Sequence, residues 1–236
     1  MQLFYNPHIT KDTEQIHFEK DESRHIVKVL RKKENDVLKI TNGHGFLFDA
    51  EIIIASDKKC VANIVNIVEK KRTRDYYLHI AIAPTKNNDR LEWFLEKATE
   101  IGIDEITPII CKNSERKVVK TERLSKIIQS AMKQSLQFTL PKLNDPVKFS
   151  DFIENDFNGQ LFVAHCEDGM VMKHLKTEVL PNASYTILIG PEGDFSTNEI
   201  SRSLEKKFSP ISLGPNRLRT ETAGVTVTQS IAFIHQ

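Results

Sequence analysis

Short apolar stretches spaced along the first seventy residues predict a small, mainly β domain. Val37–Thr41 and Phe46–Ile54 are predicted strands, and the Asn-Gly-His-Gly segment between them favours a tight hairpin turn. Two further strands are predicted at Gln2–Tyr5 and Val61–Glu69, and apolar positions at helical spacing predict a short helix over Glu22–Leu30.

A different rhythm begins after the charged stretch Lys70–Asp75, where the apolar periodicity is interrupted. We place the domain boundary there, which gives a first domain of residues 1–72 and a second of residues 73–236. Short apolar strands then alternate with helices, an order typical of an α/β domain with a mainly parallel sheet. The predicted strands are Leu78–Ala83, Ile106–Cys111, Leu161–Cys166, Tyr185–Ile189 and Ile211–Leu213. The predicted helices are Asp89–Ile101, Thr121–Phe138, one that opens with the capping sequence Ser196–Glu199, and Arg219–Ile234.

Composition excludes several classes of protein. Of the 236 residues, 39% are hydrophobic and 28% are charged, which is typical of a globular protein rather than a disordered or fibrous one. No apolar run approaches the ~20 residues that cross a bilayer, and Met1–Tyr5 lacks the features of a secretory signal, so we expect a cytoplasmic protein outside membranes. Cys60, Cys111 and Cys166 lie far apart without metal-ligand spacing, so we expect reduced thiols and no metal site.

Two glycine-bearing loops each follow a predicted buried strand and precede a helix: Ile189–Ser196 and Leu213–Ala223. Ligands of open α/β sheets bind outside the carboxyl ends of the strands, which is where both loops lie. Neither loop has the spacing of a dinucleotide-binding or P-loop motif, which disfavours a phosphate-cradling site. Ordinary turns are the alternative, but two such loops, the second followed by Arg-Thr-Glu-Thr, favour a ligand site.

These loops resemble the signature of a known family. Ile189–Gly193 and Leu213–Ala223 are similar to motifs of the 16S ribosomal RNA uracil-N3 methyltransferases, which belong to the SPOUT class. The resemblance extends from end to end of the chain in the family's order. The further segments that carry it are His25–Arg31, Lys97–Gly102, and Lys133–Ser135 followed by Leu140-Pro141.

The resemblance implies an N-terminal PUA-like β-barrel and a C-terminal SPOUT α/β domain with a trefoil knot, in an obligate homodimer. It implies S-adenosylmethionine as the cofactor. The implied reaction is methylation of N3 of a specific uridine in 16S rRNA, within the 30S subunit, as a step of ribosome biogenesis. The positions that match the family's cofactor pocket are Ala164, His165, Gly190, Pro191, Glu192, Gly193, Leu213, Gly214, Leu218, Thr222 and Ala223.

Two residues at the start of the last helix are candidates for the chemistry. N3 of uracil is a weakly acidic imide that loses its proton before or during attack on the methyl carbon, and a cation near O2 or O4 stabilises the resulting anion. We assign this role to Arg219 on the basis of the motif. For Glu221 three interpretations stay open: it accepts the proton, it orients Arg219, or it only places a favourable charge near a helix N-terminus.

Candidate RNA contacts are local basic patches, because the net charge is only +1. Residues three to four apart share a helical face, so Arg24, Lys28 and Arg31 are predicted to lie together, joined by Lys32 and Lys33. Such a face either is only solvated or contacts phosphates.

Two positions depart from the family pattern. Asp194 stands where a second glycine is usual, which we expect to alter the turn and leave the pocket in place. Asn113 stands where arginine is more usual, and either Arg116 or Lys117 is the expected replacement for that RNA contact. Two alternative functions remain: a SPOUT enzyme that methylates another base or a ribose 2′-hydroxyl, and a catalytically inert RNA-binding protein.

Overall fold

The structure is a computed structural model that describes residues 1–70, 72, 74–165, 172–181 and 183–236. It divides into two units, Met1–Arg72 with Met132–Leu140, and Thr73–Ala131 with Pro141–Gln236. Cys166 and the boundary residues Lys71 and Thr73, for which the sequence analysis makes predictions, lie outside the described residues.

The first unit contains a five-stranded sheet. Its strands are β1 (Leu3–Tyr5), β2 (Gln15–His17), β3 (Val37–Thr41), β4 (Phe46–Ile54) and β5 (Val61–Glu69). They lie in the order β1-β3-β4-β5-β2, with β1 parallel to β3 and the other neighbours antiparallel. Side chains such as Phe4, Ile40 and Phe48 form its core. The predictions for β1, β3, β4 and β5 are confirmed, whereas β2 has three residues, which is too short to give a recognisable alternation.

The helix of this unit differs from the predicted α-helix over Glu22–Leu30. Helix α1 spans only Lys20–Arg24 and passes directly into a π-helical segment, His25–Val29, whose turns are wider. Arg31 follows outside the helix with a left-handed φ of 55°. The prediction that Arg31 shares one helical face with Arg24 and Lys28 is therefore wrong, because it assumed 3.6 residues per turn throughout.

The second unit is a mostly parallel sheet with helices, as predicted. Its strands are β6 (Tyr77–Ile82), β7 (Glu105–Ile110), β8 (Lys142–Leu143), β9 (Val147–Lys148), β10 (Gln160–Ala164), β11 (Lys173–His174), β12 (Ser184–Ile189) and β13 (Ser209–Ser212). The helices are α2 (Asn88–Ile101), α3 (Thr121–Gln134), whose last residues belong to the first unit, α4 (Phe149–Phe152), α5 (Leu175–Glu178), α6 (Thr197–Glu205) and α7 (Thr220–Ile234). The strand order is β11-β13-β10-β12-β6-β7-β8, with β9 beside β7, and the pairings within the described residues are parallel.

Helix α3 ends at Gln134, four residues before the predicted end. Leu136 adopts a left-handed φ of 55°, and the amide of Gln137 donates to the carbonyl of Met132 at 3.0 Å, so the backbone leaves the helix there. The helix was predicted to continue to Phe138 because the helical spacing of apolar residues continues that far. This spacing does not reveal the change in φ at Leu136.

Helices α2 and α7 are in close contact. An ideal Cβ built on Gly224 of α7 would come within 2.6 Å of the Phe94 ring of α2, so glycine is required for this approach. Beneath them, β6 and β12 are buried along nearly their whole length, as expected for central parallel strands. In the described part of the chain, no helix combines the length and apolarity needed to span a bilayer.

Candidate functional site

A cavity of about 640 Å³ lies at the carboxyl ends of β10, β12 and β13. Ten residues that the sequence analysis proposed are in its lining, whereas Gly193, Glu221 and Thr222 are not. Met172, Arg217 and Thr220 also line it, and none of these three was predicted as a site residue from the sequence. The ten proposed residues that line the cavity are Ala164, His165, Gly190, Pro191, Glu192, Leu213, Gly214, Leu218, Arg219 and Ala223.

Glu192 lines this cavity and carries a carboxylate with one hydrogen-bonded oxygen. Its Oε1 accepts a hydrogen bond from the backbone amide of Lys86 at 2.9 Å. Its Oε2 is buried and accepts no hydrogen bond from the described residues. A buried carboxylate oxygen costs free energy when it is not hydrogen-bonded, so this atom is suited to accept a donor from a ligand.

Gly190 and Gly214 shape the cavity in different ways. An ideal Cβ on Gly190 would lie 3.0 Å from the Phe195 ring, so a larger residue would displace that core side chain. The carbonyl of Gly190 also accepts a hydrogen bond from Thr220 Oγ1 at 3.0 Å, which connects this loop to α7. Gly214 has a φ of 138° and open space where a side chain would stand, so its backbone is accessible to a ligand.

Asn113 fixes the loop that carries Glu192. Its Nδ2 donates to the carbonyl of Gly193 at 3.1 Å and to that of Asp194 at 3.0 Å. Asp194 has a left-handed φ of 62°, and its Oδ1 accepts from the amide of Phe195 at 2.7 Å. Aspartate is one of the few side chains that adopt this conformation, so the position does not require glycine. Gly193 is exposed, and its ideal Cβ would lie 3.2 Å from the Cβ of Asn113.

Arg116 and Glu115 hold the neighbouring loop after β6. The Arg116 guanidinium donates from Nη2 to the carbonyl of Lys86 at 2.6 Å and from Nε to that of Thr85 at 3.1 Å. Lys86 Nζ lies 2.8 Å from Glu115 Oε2, and this hydrogen bond raises the pKa of the Lys86 ammonium. The guanidinium that was predicted to contact RNA therefore also supports the loop whose amide bonds Glu192.

Arg219 and Glu221 occupy different surroundings although they are two residues apart. Arg219 is the N-cap residue of α7, is exposed and lines the cavity. Glu221 is buried against α2, where its Oε1 lies 3.7 Å from Nε of Arg90. Its Oε2 is buried without a hydrogen-bond partner among the described residues. Sequence reasoning did not identify Arg90.

In the first unit, three of the predicted RNA-binding residues lie together. Arg31 and Lys32 line an open cavity of about 470 Å³ that also includes Lys33. Arg24 and Lys28 are exposed and are not in its lining, and Lys28 Nζ lies 3.6 Å from Asp57 Oδ2.

Comparison with known proteins identifies both units. The chain matches a family model of the RNA methyltransferase domain over residues 72–232 and one of the RNA methyltransferase PUA domain over residues 18–65. "Ribosomal RNA small subunit methyltransferase E" of Buchnera aphidicola subsp. Acyrthosiphon pisum is 33% identical, over 93% of this chain and 88% of that protein. The protein of the same name from Bacillus subtilis is 28% identical, over 90% of this chain and 88% of that protein.

Solved structures agree with these matches. A crystal structure of a probable rRNA-methyltransferase from Porphyromonas gingivalis superposes with a TM-score of 0.92 at 37% identity, covering 100% of this chain and 98% of that one. A Legionella pneumophila protein described as a methyltransferase, in complex with the bound cofactor SAM, superposes with a TM-score of 0.85 at 27% identity, covering 97% and 96%. The chain therefore belongs to the RNA methyltransferase family, with an RNA methyltransferase PUA domain before the RNA methyltransferase domain.

Proposed function

We propose that this protein transfers the methyl group of S-adenosylmethionine to N3 of a uridine in 16S rRNA of the small ribosomal subunit. The observation that carries the proposal is the cavity built from two glycine-bearing loops at the carboxyl edge of the sheet. Relatives named for methylation of small-subunit ribosomal RNA, one aligned over 93% of this chain, support the substrate class. The resemblance of Ile189–Gly193 and Leu213–Ala223 to uracil-N3 methyltransferase motifs supports the target atom.

The cavity fits S-adenosylmethionine. The buried Glu192 Oε2 is an acceptor for an ammonium or hydroxyl group, and the open backbone at Gly214 leaves room for a ligand. Ile189, Leu213 and Leu218 provide apolar wall for an adenosyl group. When bound, the cofactor supplies an electrophilic methyl carbon, and these residues hold it in one orientation and exclude water.

Arg219 is the residue that we propose acts on the uracil. Arg219 lines the cavity, and its side chain is not engaged as a cap of α7. There it would donate to a uracil oxygen and stabilise the negative charge that develops as N3 loses its proton to water. N3 would then form the new bond to the methyl carbon as the carbon–sulfur bond breaks and S-adenosylhomocysteine leaves. The contact of Glu221 with Arg90 argues against a role in orienting Arg219.

We further propose that the first domain, residues 1–72, binds the RNA backbone. Arg31 and Lys32, with Lys33 beside them, form the denser group of cations, and Arg24 and Lys28 add exposed charge nearby in the chain. Arg116 is proposed as a contact in the second domain, residues 73–236. Phosphate contacts of this kind fix the register of the RNA and do not read its sequence.

The protein is further proposed to be a homodimer whose second domain contains a trefoil knot. Large apolar side chains on α2 and α7 support the dimer, because Trp93, Phe233 and Ile234 are 43%, 70% and 38% exposed. Membership of the family supports the knot. A cytoplasmic location and a 30S substrate follow from the proposed rRNA target.

The deciding experiment is methyl transfer from labelled S-adenosylmethionine to 30S particles and to free 16S rRNA, both prepared from a strain that lacks this gene. Nucleoside mass spectrometry then identifies the modified group. We expect 3-methyluridine at a single position. A 2′-O-methyl nucleoside or another methylated base would replace the target atom, and RNA binding without transfer would indicate an inert RNA-binding protein.

A further inference from the structure

An ion pair between Arg90 and Glu221 connects the first turns of α2 and α7. Arg90 Nε lies 3.7 Å from Glu221 Oε1, and the two side chains are 38% and 8% exposed. The second carboxylate oxygen of Glu221 is buried, and no described residue donates a hydrogen bond to it. The pair therefore joins a nearly buried carboxylate to a guanidinium that still reaches solvent.

The close contact of α2 and α7 fixes the position of this pair. One turn further along each helix, an ideal Cβ on Gly224 would come within 2.6 Å of the Phe94 ring, so the two backbones are close there. The two residues that immediately precede Glu221, Arg219 and Thr220, both line the cavity. In the loop that precedes α2, the amide of Lys86, four residues before Arg90, donates a hydrogen bond to the cavity residue Glu192. Arg90 is not in the lining of the cavity, but it lies in the first turn of α2, shortly after that loop.

The geometry of the pair is poor for stability alone. Burial of a carboxylate is costly, and a contact of 3.7 Å with one oxygen left without a donor recovers only part of that cost. The shortest contact of the ion pair uses Nε of Arg90, and no described residue accepts a hydrogen bond from its two Nη nitrogens, which are therefore available to a second acceptor. Such a fork matches the geometry of a phosphate.

We propose that Arg90 binds the phosphate of the target nucleotide and that Glu221 is a positioning residue that aims its guanidinium. This inference rests on the proposed function, since a nucleotide whose base enters the cavity leaves its phosphate at the rim. The inference gives the two arginines different roles. Arg219 acts on the uracil inside the cavity, and Arg90 binds the RNA backbone outside it. Glu221 then acts through Arg90 and does not accept the N3 proton.

The test compares Arg90→Gln, Arg90→Lys, Glu221→Gln and the double variant Arg90→Gln/Glu221→Gln, all assayed with the rRNA substrate that the wild type methylates. We expect about a tenfold loss of RNA affinity in Arg90→Gln, with the slope of log affinity against log salt reduced by about 0.7 to 0.9, the effect of one lost phosphate contact. Arg90→Lys keeps the charge beside Glu221 and should retain the salt slope while losing affinity. The double variant should be no weaker than Arg90→Gln, because the two residues act as one unit.

Arg202→Gln is the matched control, since Arg202 is 34% exposed and pairs with Glu154 away from the cavity. Single-turnover rates at saturating RNA should keep the wild-type pH profile in Glu221→Gln, and calorimetry should show unchanged cofactor affinity in every variant. An unchanged RNA affinity in Arg90→Gln, or a collapsed rate with a flattened pH profile in Glu221→Gln, would overturn the assignment. Failure of the proposed function itself is distinguishable, because the wild type would then transfer no methyl group to the rRNA.

Discussion

The side-chain amide of Asn113 holds the carbonyls of Gly193 and Asp194, next to the cavity residue Glu192. Each hydrogen bond contributes ~1 kcal/mol, so we predict that Asn113→Ala weakens S-adenosylmethionine binding about tenfold. Titration calorimetry measures the affinity. Asn155→Ala is the control, because Asn155 Nδ2 also donates to a backbone carbonyl, that of Phe152 at 2.8 Å, outside the cavity. Equal losses in both variants, or none in Asn113→Ala, would contradict this role.

A second prediction concerns the effect of Arg219 on the rate of methyl transfer. If its guanidinium stabilises the developing uracil anion, Arg219→Ala lowers the rate of methyl transfer by about 10²–10³, the usual effect of losing one preorganised donor. Arg219→Lys should recover little, since an ammonium does not reproduce the planar fork. Single-turnover transfer at saturating cofactor and RNA separates this effect from binding. A wild-type rate with weaker RNA affinity would make Arg219 a binding residue instead.

Glycines in local loop motifs were predictable from the sequence, whereas contacts between distant segments were not. Gly190 and Gly214 were predicted because a strand, a glycine and a helix follow one another locally. The contact of Asn113 with Gly193 and that of Arg90 with Glu221 were missed. Each of these contacts joins segments that are far apart in the chain. A single sequence does not show which helix or loop packs against which other one.

Regular elements were predictable wherever alternation or amphipathicity was sustained. The bounds of β3, β4 and β5 agree with the predicted strands, because a hairpin signal and a period of two coincide there. The π-helical segment His25–Val29 and the left-handed Arg31 were not predictable, since both depend on backbone angles that leave no mark in hydrophobic spacing. This change of geometry regroups the basic residues of the first unit.

That regrouping gives a prediction for the segment after the π-helix. Reversing charge in Arg31→Glu/Lys32→Glu should weaken RNA binding and flatten its salt dependence more than Arg24→Glu/Lys28→Glu does, because Arg31 and Lys32 line one cavity with a third cation, Lys33. Filter binding over a range of salt concentrations measures both quantities. Cofactor affinity should stay constant in both double variants. Equal effects of the two pairs would show that only the total charge of this unit matters.

At the scale of the whole molecule, the segment Met132–Leu140 belongs with the first unit although it lies within the sequence of the second. The amide of Gly45 donates to the carbonyl of Phe138 at 2.8 Å, and that of Leu140 donates to the carbonyl of Gly43 at 2.8 Å. The charged stretch near residue 72 marks a change in the hydrophobic periodicity. It gives no sign that the later segment Met132–Leu140 packs with the first unit. Family membership, by contrast, was confirmed, because the motifs that carry it recur along the whole length.

Glu105, at the start of β7, is a carboxyl with a lowered pKa, which leads to a prediction about the acid stability of the second unit. Burial raises the pKa of this carboxyl, but hydrogen bonds from Lys142, Tyr77 and Asn144 outweigh it and hold the pKa at about 2. A carboxyl whose folded pKa lies below its unfolded value of 4.5 stabilises the fold above that value, and this contribution is lost as the pH falls towards 2.

We therefore predict that Glu105→Gln has a lower thermal midpoint than the wild type at pH 7. Between pH 5 and about pH 2 the midpoint of the variant should fall by less than that of the wild type. Fluorescence of Trp93, the single tryptophan, reports unfolding of the second unit. Glu154→Gln is the matched control, because the pKa of Glu154 is also lowered, by hydrogen bonds from Lys206 and Arg202, but on an exposed surface where an ion pair contributes little. Glu154→Gln should follow the wild-type pH dependence. If Glu105→Gln follows it as well, the hydrogen bonds to Glu105 do not contribute to the acid sensitivity of the fold.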